Sequence, residues 1–117
     1  MKVLQEWEAS MKLTHIDLYT KGWFLGNFVP TFVATEDFEV AFKVFKAGEV
    51  EHAHKQLVAT EITLFTSGIG LINNRTFSRG DIIQIEAGEV ADFRAVTDCE
   101  LVCIKMPSIP LDKIVVA

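Results

Sequence analysis

Apolar and polar side chains alternate along much of the chain from Trp23 onward, and this alternation predicts β-strands. The clearest strand spans residues 38–45, where one face carries Phe38, Val40, Phe42 and Val44. A second strand is predicted over residues 60–66, which are rich in β-branched side chains and end at Gly68. Short strands at such regular spacing indicate an all-β sandwich or closed barrel rather than alternating strands and helices.

Turn residues divide this pattern into short segments. Asn73-Asn74 stands between two apolar pairs, and asparagine tolerates the positive φ that a tight hairpin demands. Gly80 and Gly88 mark the next turns, and Pro107 stops regular pairing. Residues 1–20 fit neither period cleanly, so a short helix and an added edge strand both remain open there.

The length of 117 residues corresponds to one domain. We expect an N-terminal extension over about residues 1–22, a barrel over 23–106 and a C-terminal tail over 107–117. Half of the residues are hydrophobic and the mean hydropathy is +0.27, which is high for a small monomer. Surplus apolar surface is most simply covered by a second copy of the chain, so we expect a homodimer.

Charge and cysteine content narrow the possible partners and setting. The net charge of −5 argues against binding to nucleic acid or to an anionic membrane surface. No apolar stretch approaches the ~20 residues that span a bilayer, and residues 1–10 lack the apolar core of a targeting signal. Cys99 and Cys103 lie too far apart along one strand to bridge, which predicts two free buried thiols and a cytoplasmic setting.

The most informative chemistry is His52-Ala53-His54 with Glu61 downstream. Residues two apart in a strand point to the same side, so both imidazoles should project from one face. Two imidazoles and a carboxylate are a plausible ligand set for a divalent transition metal such as Zn, Fe, Mn or Ni. Hydrogen-bonding histidines on an exposed strand end are the simpler alternative.

These residues resemble the first motif of the cupin family, in which a Gly, a His-x-His pair, a Glu and a Gly follow one another. Here they are Gly48, His52, His54, Glu61 and Gly68, with a loop between His54 and Glu61 two residues longer than usual. The second cupin motif is matched only by its glycines, Gly80 and Gly88. Its histidine position holds Ala91, so the third metal-binding imidazole is missing.

The resemblance implies a double-stranded β-helix, which is a small barrel of two antiparallel sheets with a pocket at one mouth. It implies His52, His54 and Glu61 as metal ligands, with Asp92 or Glu89 as possible replacements for the missing imidazole. Thr63, Phe65 and Asp92 are the expected pocket-lining residues, although a solvated or turn-capping Asp92 is the simpler expectation.

Two functions are compatible with the resemblance to cupins and the partly matched motifs. The first is a cupin that binds a small polar molecule in the barrel pocket, with or without a divalent metal. The second is a metal-dependent small-molecule enzyme of the dioxygenase, isomerase or lyase type. The fold by itself does not decide between them.

Overall fold

The structure, a computed structural model, describes residues 5–7 and 11–116. Within these residues the chain forms β-strands and two short 3₁₀ helices, Ile16–Leu18 and Thr20–Gly22. The strands are β1 Gln5–Trp7, β2 Met11–Leu13, β3 Trp23–Gly26, β4 Val33–Ala34, β5 Glu39–Phe45, β6 Val50–Gln56, β7 Thr60–Ser67, β8 Ile69–Ile72, β9 Arg75–Ser78, β10 Ile82–Ile85, β11 Ala91–Ala95, β12 Cys99–Met106 and β13 Lys113–Val115.

Two sheets form the body of the domain. One has six strands in the order β10-β7-β12-β5-β3-β4, and the other has five in the order β13-β6-β11-β8-β9. Their pairings are antiparallel except for β3 with β4. From β5 onward, successive strands alternate between the two sheets, except that β8 and β9 are neighbours in one sheet. This is the arrangement of a double-stranded β-helix, and it confirms the predicted fold class.

The two ends of the chain add to this body differently. At the N-terminus, β1 and β2 pair as a separate two-stranded ribbon. At the C-terminus, β13 pairs with β6 although it lies in the predicted tail, so the five-stranded sheet extends beyond residue 106. No helix in the described parts of the chain is both long and apolar enough to cross a membrane.

The predicted hairpin between β8 and β9 is confirmed. Asn73 and Asn74 have φ values of +49° and +65°, the left-handed conformation that a two-residue hairpin turn requires. The Asn73 side chain also binds the backbone just before β11, since its Nδ2 donates to the Val90 carbonyl over 3.0 Å.

An aromatic core fills one end of the space between the sheets. Phe65 is completely buried, and its ring lies 6.3 Å from that of Phe93, which in turn lies 4.5 Å from that of Phe45. Cys99 packs in the same cluster, and both cysteines are free and buried as predicted.

The inward face changes character along the strands. On β12 the buried residues are Cys99, Leu101, Cys103 and Lys105, so the series runs from apolar to charged. In the register of the sheet, Lys105 lies opposite Glu39 on β5 and opposite Glu61 on β7. The barrel thus has an apolar end, and a polar end where the candidate site lies.

Candidate functional site

A β-bulge in β6 decides which side chains of the predicted motif reach the interior. His54 lies opposite Ala91 of β11, and Glu51 lies opposite Phe93, so two residues of β6 stand against one of β11 between these pairs. Glu51 and His54 therefore line the same internal cavity, whereas His52 is exposed. The structure does not place the two imidazoles on one face, which corrects the expectation from simple alternation.

His54 is buried and held in one orientation. Its Nδ1 lies 2.9 Å from the His52 backbone carbonyl, which can only accept a hydrogen bond. Nδ1 therefore carries the proton in the neutral ring, and Nε2 is left as an acceptor. His52 instead borders a groove of about 330 Å³ on the outer surface, together with Asn74, Asp92 and Arg94.

Glu61 and Thr63 lie on the inner face of β7, beside Cys103 of β12. The Thr63 hydroxyl donates to Glu61 Oε2 over 3.4 Å and lies 3.4 Å from the Cys103 sulfur. Burial, with the nearby Glu61 carboxylate, raises the pKa of the Cys103 thiol to about 11. The cavity that these residues share with His54 measures only about 20 Å³, which is room for a single water molecule.

The other residues expected at the pocket have structural contacts. Phe65 belongs to the aromatic core. Asp92 borders the internal cavity but is exposed, and its Oδ1 accepts from the Asn73 backbone N–H over 3.0 Å. Glu89 caps a turn by accepting from the Glu86 backbone N–H over 2.8 Å.

An ion-pair network that the sequence did not predict occupies the polar end. Lys43 Nζ lies 3.3 and 3.2 Å from the two carboxylate oxygens of Glu51, and Lys113 Nζ lies 3.5 Å from Glu51 Oε2. Burial by itself would raise the pKa of Glu51, but the two ammonium groups outweigh it and hold that pKa below its ordinary value. Glu51 is therefore a carboxylate at neutral pH.

A third lysine, Lys105, lies beside this network over the face of Trp23. Lys105 Nζ is 4.8 Å from the ring centroid, and Lys43 Nζ is 5.4 Å from it. Lys105 is only 8% exposed, and burial lowers its pKa although Glu61 and Glu39 oppose the shift. Cation–π contact stabilises a desolvated ammonium without neutralising it.

The segment after β12 lies across this end of the barrel. Ser108 is buried, and its hydroxyl donates to Glu39 Oε1 over 3.2 Å and accepts from the Asn27 backbone N–H over 2.9 Å. The two carboxylate oxygens of Asp112 each accept a backbone N–H, from Val58 and from Ala59, over 2.9 Å. These bonds hold the segment in place and form one wall of a groove.

This mouth groove has a volume of about 430 Å³. Its charged and polar side is formed by Asn27, Glu39, Gln56, Lys105, Asp112 and Lys113, and its apolar side by Phe28, Ile109, Pro110 and Leu111. A volume of this order is typical of small-molecule sites, which also combine apolar walls with a few polar groups. Burial raises the pKa of Glu39 at its edge, despite the nearby Lys105 and the hydrogen bond from Ser108.

The donor atoms do not fit the metal centre that the first motif implies. His52 lies outside, Ala91 faces His54, and in the described part of the chain no three His, Cys, Asp or Glu side chains are grouped closely enough to hold a metal ion. The interior instead contains lysine ammonium groups, which repel a cation. Metal binding by His52, His54 and Glu61 stays a prediction that this arrangement does not support.

Comparison with known structures identifies the fold. An uncharacterised conserved protein with a double-stranded β-helix domain from Klebsiella pneumoniae superposes with a TM-score of 0.65 at 17% identity, over 71% of this chain and 77% of that one. An RmlC-like cupin from Desulfovibrio desulfuricans gives 0.58 at 22% identity, over 64% and 76%. This chain has the cupin fold. The same cupin fold is shared with a sugar phosphate isomerase from Silicibacter pomeroyi, with a TM-score of 0.58 at 16% identity, over 62% and 52%.

No protein-family model and no curated protein matches the sequence. Identities below 25% show a common fold and carry no activity with them. The function of this cupin fold must therefore be argued from its own side chains.

Lys43, Glu51 and Lys105 are the residues of the polar end that sequence reasoning did not find. A signal for two of them exists, because Lys43 and Lys105 each stand between apolar neighbours in a strand. A lysine between apolar neighbours in a strand lies either on the exposed face or on the buried face with groups that compensate its charge, and the sequence does not distinguish the two. Glu51 carries no signal, since its inward position depends on the bulge.

Proposed function

We propose that this protein binds a small polar molecule in the mouth groove. The observation that carries the proposal is a groove of about 430 Å³ bordered by a lysine that is only 8% exposed. Burying an ammonium group costs several kcal/mol unless it is compensated, and such groups are concentrated at functional sites. A ligand that compensates the charge of Lys105 would offset the free-energy cost of burying its ammonium group.

The mouth groove is a better ligand site than the cavity beside His54. That cavity of about 20 Å³ admits no more than a water molecule, whereas the groove lies in the range of known ligand sites. Lys113, which is ion-paired with Glu51, lies on the polar side of the groove, and Glu51 itself borders the cavity beside His54.

The alternative of a metal-dependent enzyme has weaker support. Similarity to a sugar phosphate isomerase shows that the fold is compatible with catalysis, but fold similarity does not transfer an activity. The inward set here is one imidazole, two carboxylates and two lysines. That set favours binding of a charged ligand over coordination of a metal.

A thermal-shift screen tests the binding proposal. Untagged, dialysed protein would be heated with a panel of small acids, amines, polyols and phosphates. A ligand at 100 times its Kd stabilises by about 2.7 kcal/mol, which raises Tm by roughly 10 °C for a chain of this length. Lys105→Met should abolish the shift, and Lys46→Met, a change at a surface ion pair, should retain it. A panel without any shift, or shifts that survive Lys105→Met, would contradict the proposal.

The same protein provides the test of the metal alternative. Titration with Zn, Fe, Mn and Ni is expected to give no stoichiometric binding. Uptake of one metal ion per chain that is lost in both His54→Ala and Glu61→Ala would instead favour the enzyme.

We also propose that the domain assembles as a homodimer through the outer face of the six-stranded sheet. Phe42, Val102, Leu64 and Ile82 follow one another across four adjacent strands and form an apolar row. Ile82 at its end is 69% exposed. Light scattering should give twice the mass of 13.1 kDa, and Leu64→Glu should reduce it to one chain; a wild-type mass of one chain would contradict the dimer.

A further inference from the structure

The mouth groove contains a buried acceptor that has no partner. Gln56 is 3% exposed, and its Oε1 makes no hydrogen bond with any residue in the described ranges. A buried unsatisfied amide oxygen costs about 1–3 kcal/mol, so native structures rarely retain one without a reason. Gln56 borders the groove from β6, opposite Lys113 of β13.

The groove also has one cation that is not ion-paired. Glu51 holds Lys43 and Lys113, and the Asp112 carboxylate is used by two backbone N–H groups. None of the ion pairs formed among the described residues includes Lys105. The compensation available to Lys105 within the protein is the ring of Trp23 and carboxylates at longer range.

We infer that the ligand of the mouth groove is a small hydroxycarboxylate, with its carboxylate at Lys105 and a hydroxyl at Gln56. This inference rests on the proposed function and specifies the ligand class. A carboxylate compensates the ammonium of Lys105. A hydroxyl both donates and accepts, so it satisfies the Gln56 amide through its oxygen or its NH₂ group. Phe28 and Ile109 then cover the carbon skeleton of the ligand.

Isothermal titration calorimetry with matched probes tests the assignment. The hydroxycarboxylates are glycolate, L-malate and D-gluconate; sorbitol has the hydroxyls without the charge, and hexanoate has the charge without the hydroxyls. At least one hydroxycarboxylate should bind ten times more tightly than sorbitol and hexanoate. This comparison uses only the wild-type protein, so it does not depend on the folding of any variant.

Two variants then locate the contacts. Lys105→Met and Gln56→Met keep side-chain volume while removing charge and amide, and each should weaken the best hydroxycarboxylate at least tenfold. Lys46→Met is the matched surface control and should leave its Kd unchanged.

The outcomes separate this inference from the proposed function. Equal binding of sorbitol would overturn the anionic part of the assignment, and equal binding of hexanoate would overturn the hydroxyl part. If the three hydroxycarboxylates fail to bind while a phosphate or another acid of the screening panel binds through Lys105, the ligand class is wrong and the groove remains a binding site. If no member of the panel binds, both proposals fail.

Discussion

Replacing Glu51 by Gln removes the shared anion of the interior ion-pair network and should destabilise the fold. The variant keeps the shape of the side chain and loses its charge. Lys43, whose side chain is 14% exposed, then has no ion-pair partner, and Lys113 loses its own. Removing one partner of the ion pair between Lys46 and Asp98 would leave no buried charge, because these side chains are 78% and 70% exposed.

The magnitude lies between two known limits. Removing one partner of a fully buried pair costs about 3–5 kcal/mol, whereas an exposed pair contributes about 0–1 kcal/mol. Glu51 is 22% exposed, so we expect a loss of about 2 kcal/mol. For a domain of this length that corresponds to a decrease in Tm of about 8 °C.

The dependence on pH has a definite sign. The folded state lowers the pKa of Glu51 below the reference value of 4.5 because Lys43 and Lys113 outweigh the effect of burial. A carboxylate with a lowered pKa stabilises the fold above the unfolded pKa, and this contribution is lost as pH falls through the folded pKa. The Tm difference between wild type and Glu51→Gln should therefore be constant from pH 6 to 8 and shrink below about pH 4.5.

Thermal and urea denaturation at several pH values provide the measurement. Lys43→Met should make a subsequent Glu51→Gln change less costly, because the two side chains interact directly. Lys46→Met is the control and should change Tm by no more than about 2 °C. An unchanged Tm in Glu51→Gln, or a loss that is independent of pH between 3 and 7, would refute the assignment of Glu51 as the charged centre of the network.

Three further predictions concern individual residues. Glu39→Gln should raise Tm at neutral pH. Burial raises the pKa of Glu39, so ionisation of this carboxyl lowers the stability of the fold as pH rises. A lower Tm than wild type at pH 7 would contradict this. Gly68→Ala should cost about 3 kcal/mol or more, because φ is +78° and a Cβ would lie 2.1 Å from the Asp98 carbonyl oxygen. Gly80→Ala is the control, because Gly80 has a φ of +92° but open space around it. This variant should lose about 1–2 kcal/mol of stability in urea denaturation from the backbone conformation alone. Equal losses in the two variants would show that the contact at Gly68 is unimportant. Cys103 should resist iodoacetamide at pH 8 until the protein is unfolded, since it is 4% exposed and its pKa is raised to about 11, and mass spectrometry would detect any earlier reaction.

Local sequence determined several of the strands and turns of this protein. The alternation over residues 38–45 and the β-branched run over 60–66 correspond to β5 and β7, because strand geometry depends on neighbouring residues. Asn73 and Asn74 adopt the positive φ that their side chains tolerate. The two free cysteines followed from their spacing on one strand.

The face that each strand presents to the interior was decided by the tertiary structure. On β5 the regular series of Val40, Phe42 and Val44 points away from the barrel interior, where Lys43 instead meets Glu51 across the sheets. Period-two alternation shows that two faces differ, but it does not show which one is enclosed.

The candidate site depended on the same kind of long-range information. One bulge in β6 turns His52 outward and brings Glu51 inward. The bulge is a feature of the pairing between β6 and β11, which are distant in the sequence. The groove at Lys105 requires a segment from residues 109–113 to lie against β6, held by Asp112 at positions more than 50 residues away in sequence. Sequence thus determined the local conformations and the residue types available, whereas contacts between distant strands decided which of them form the site.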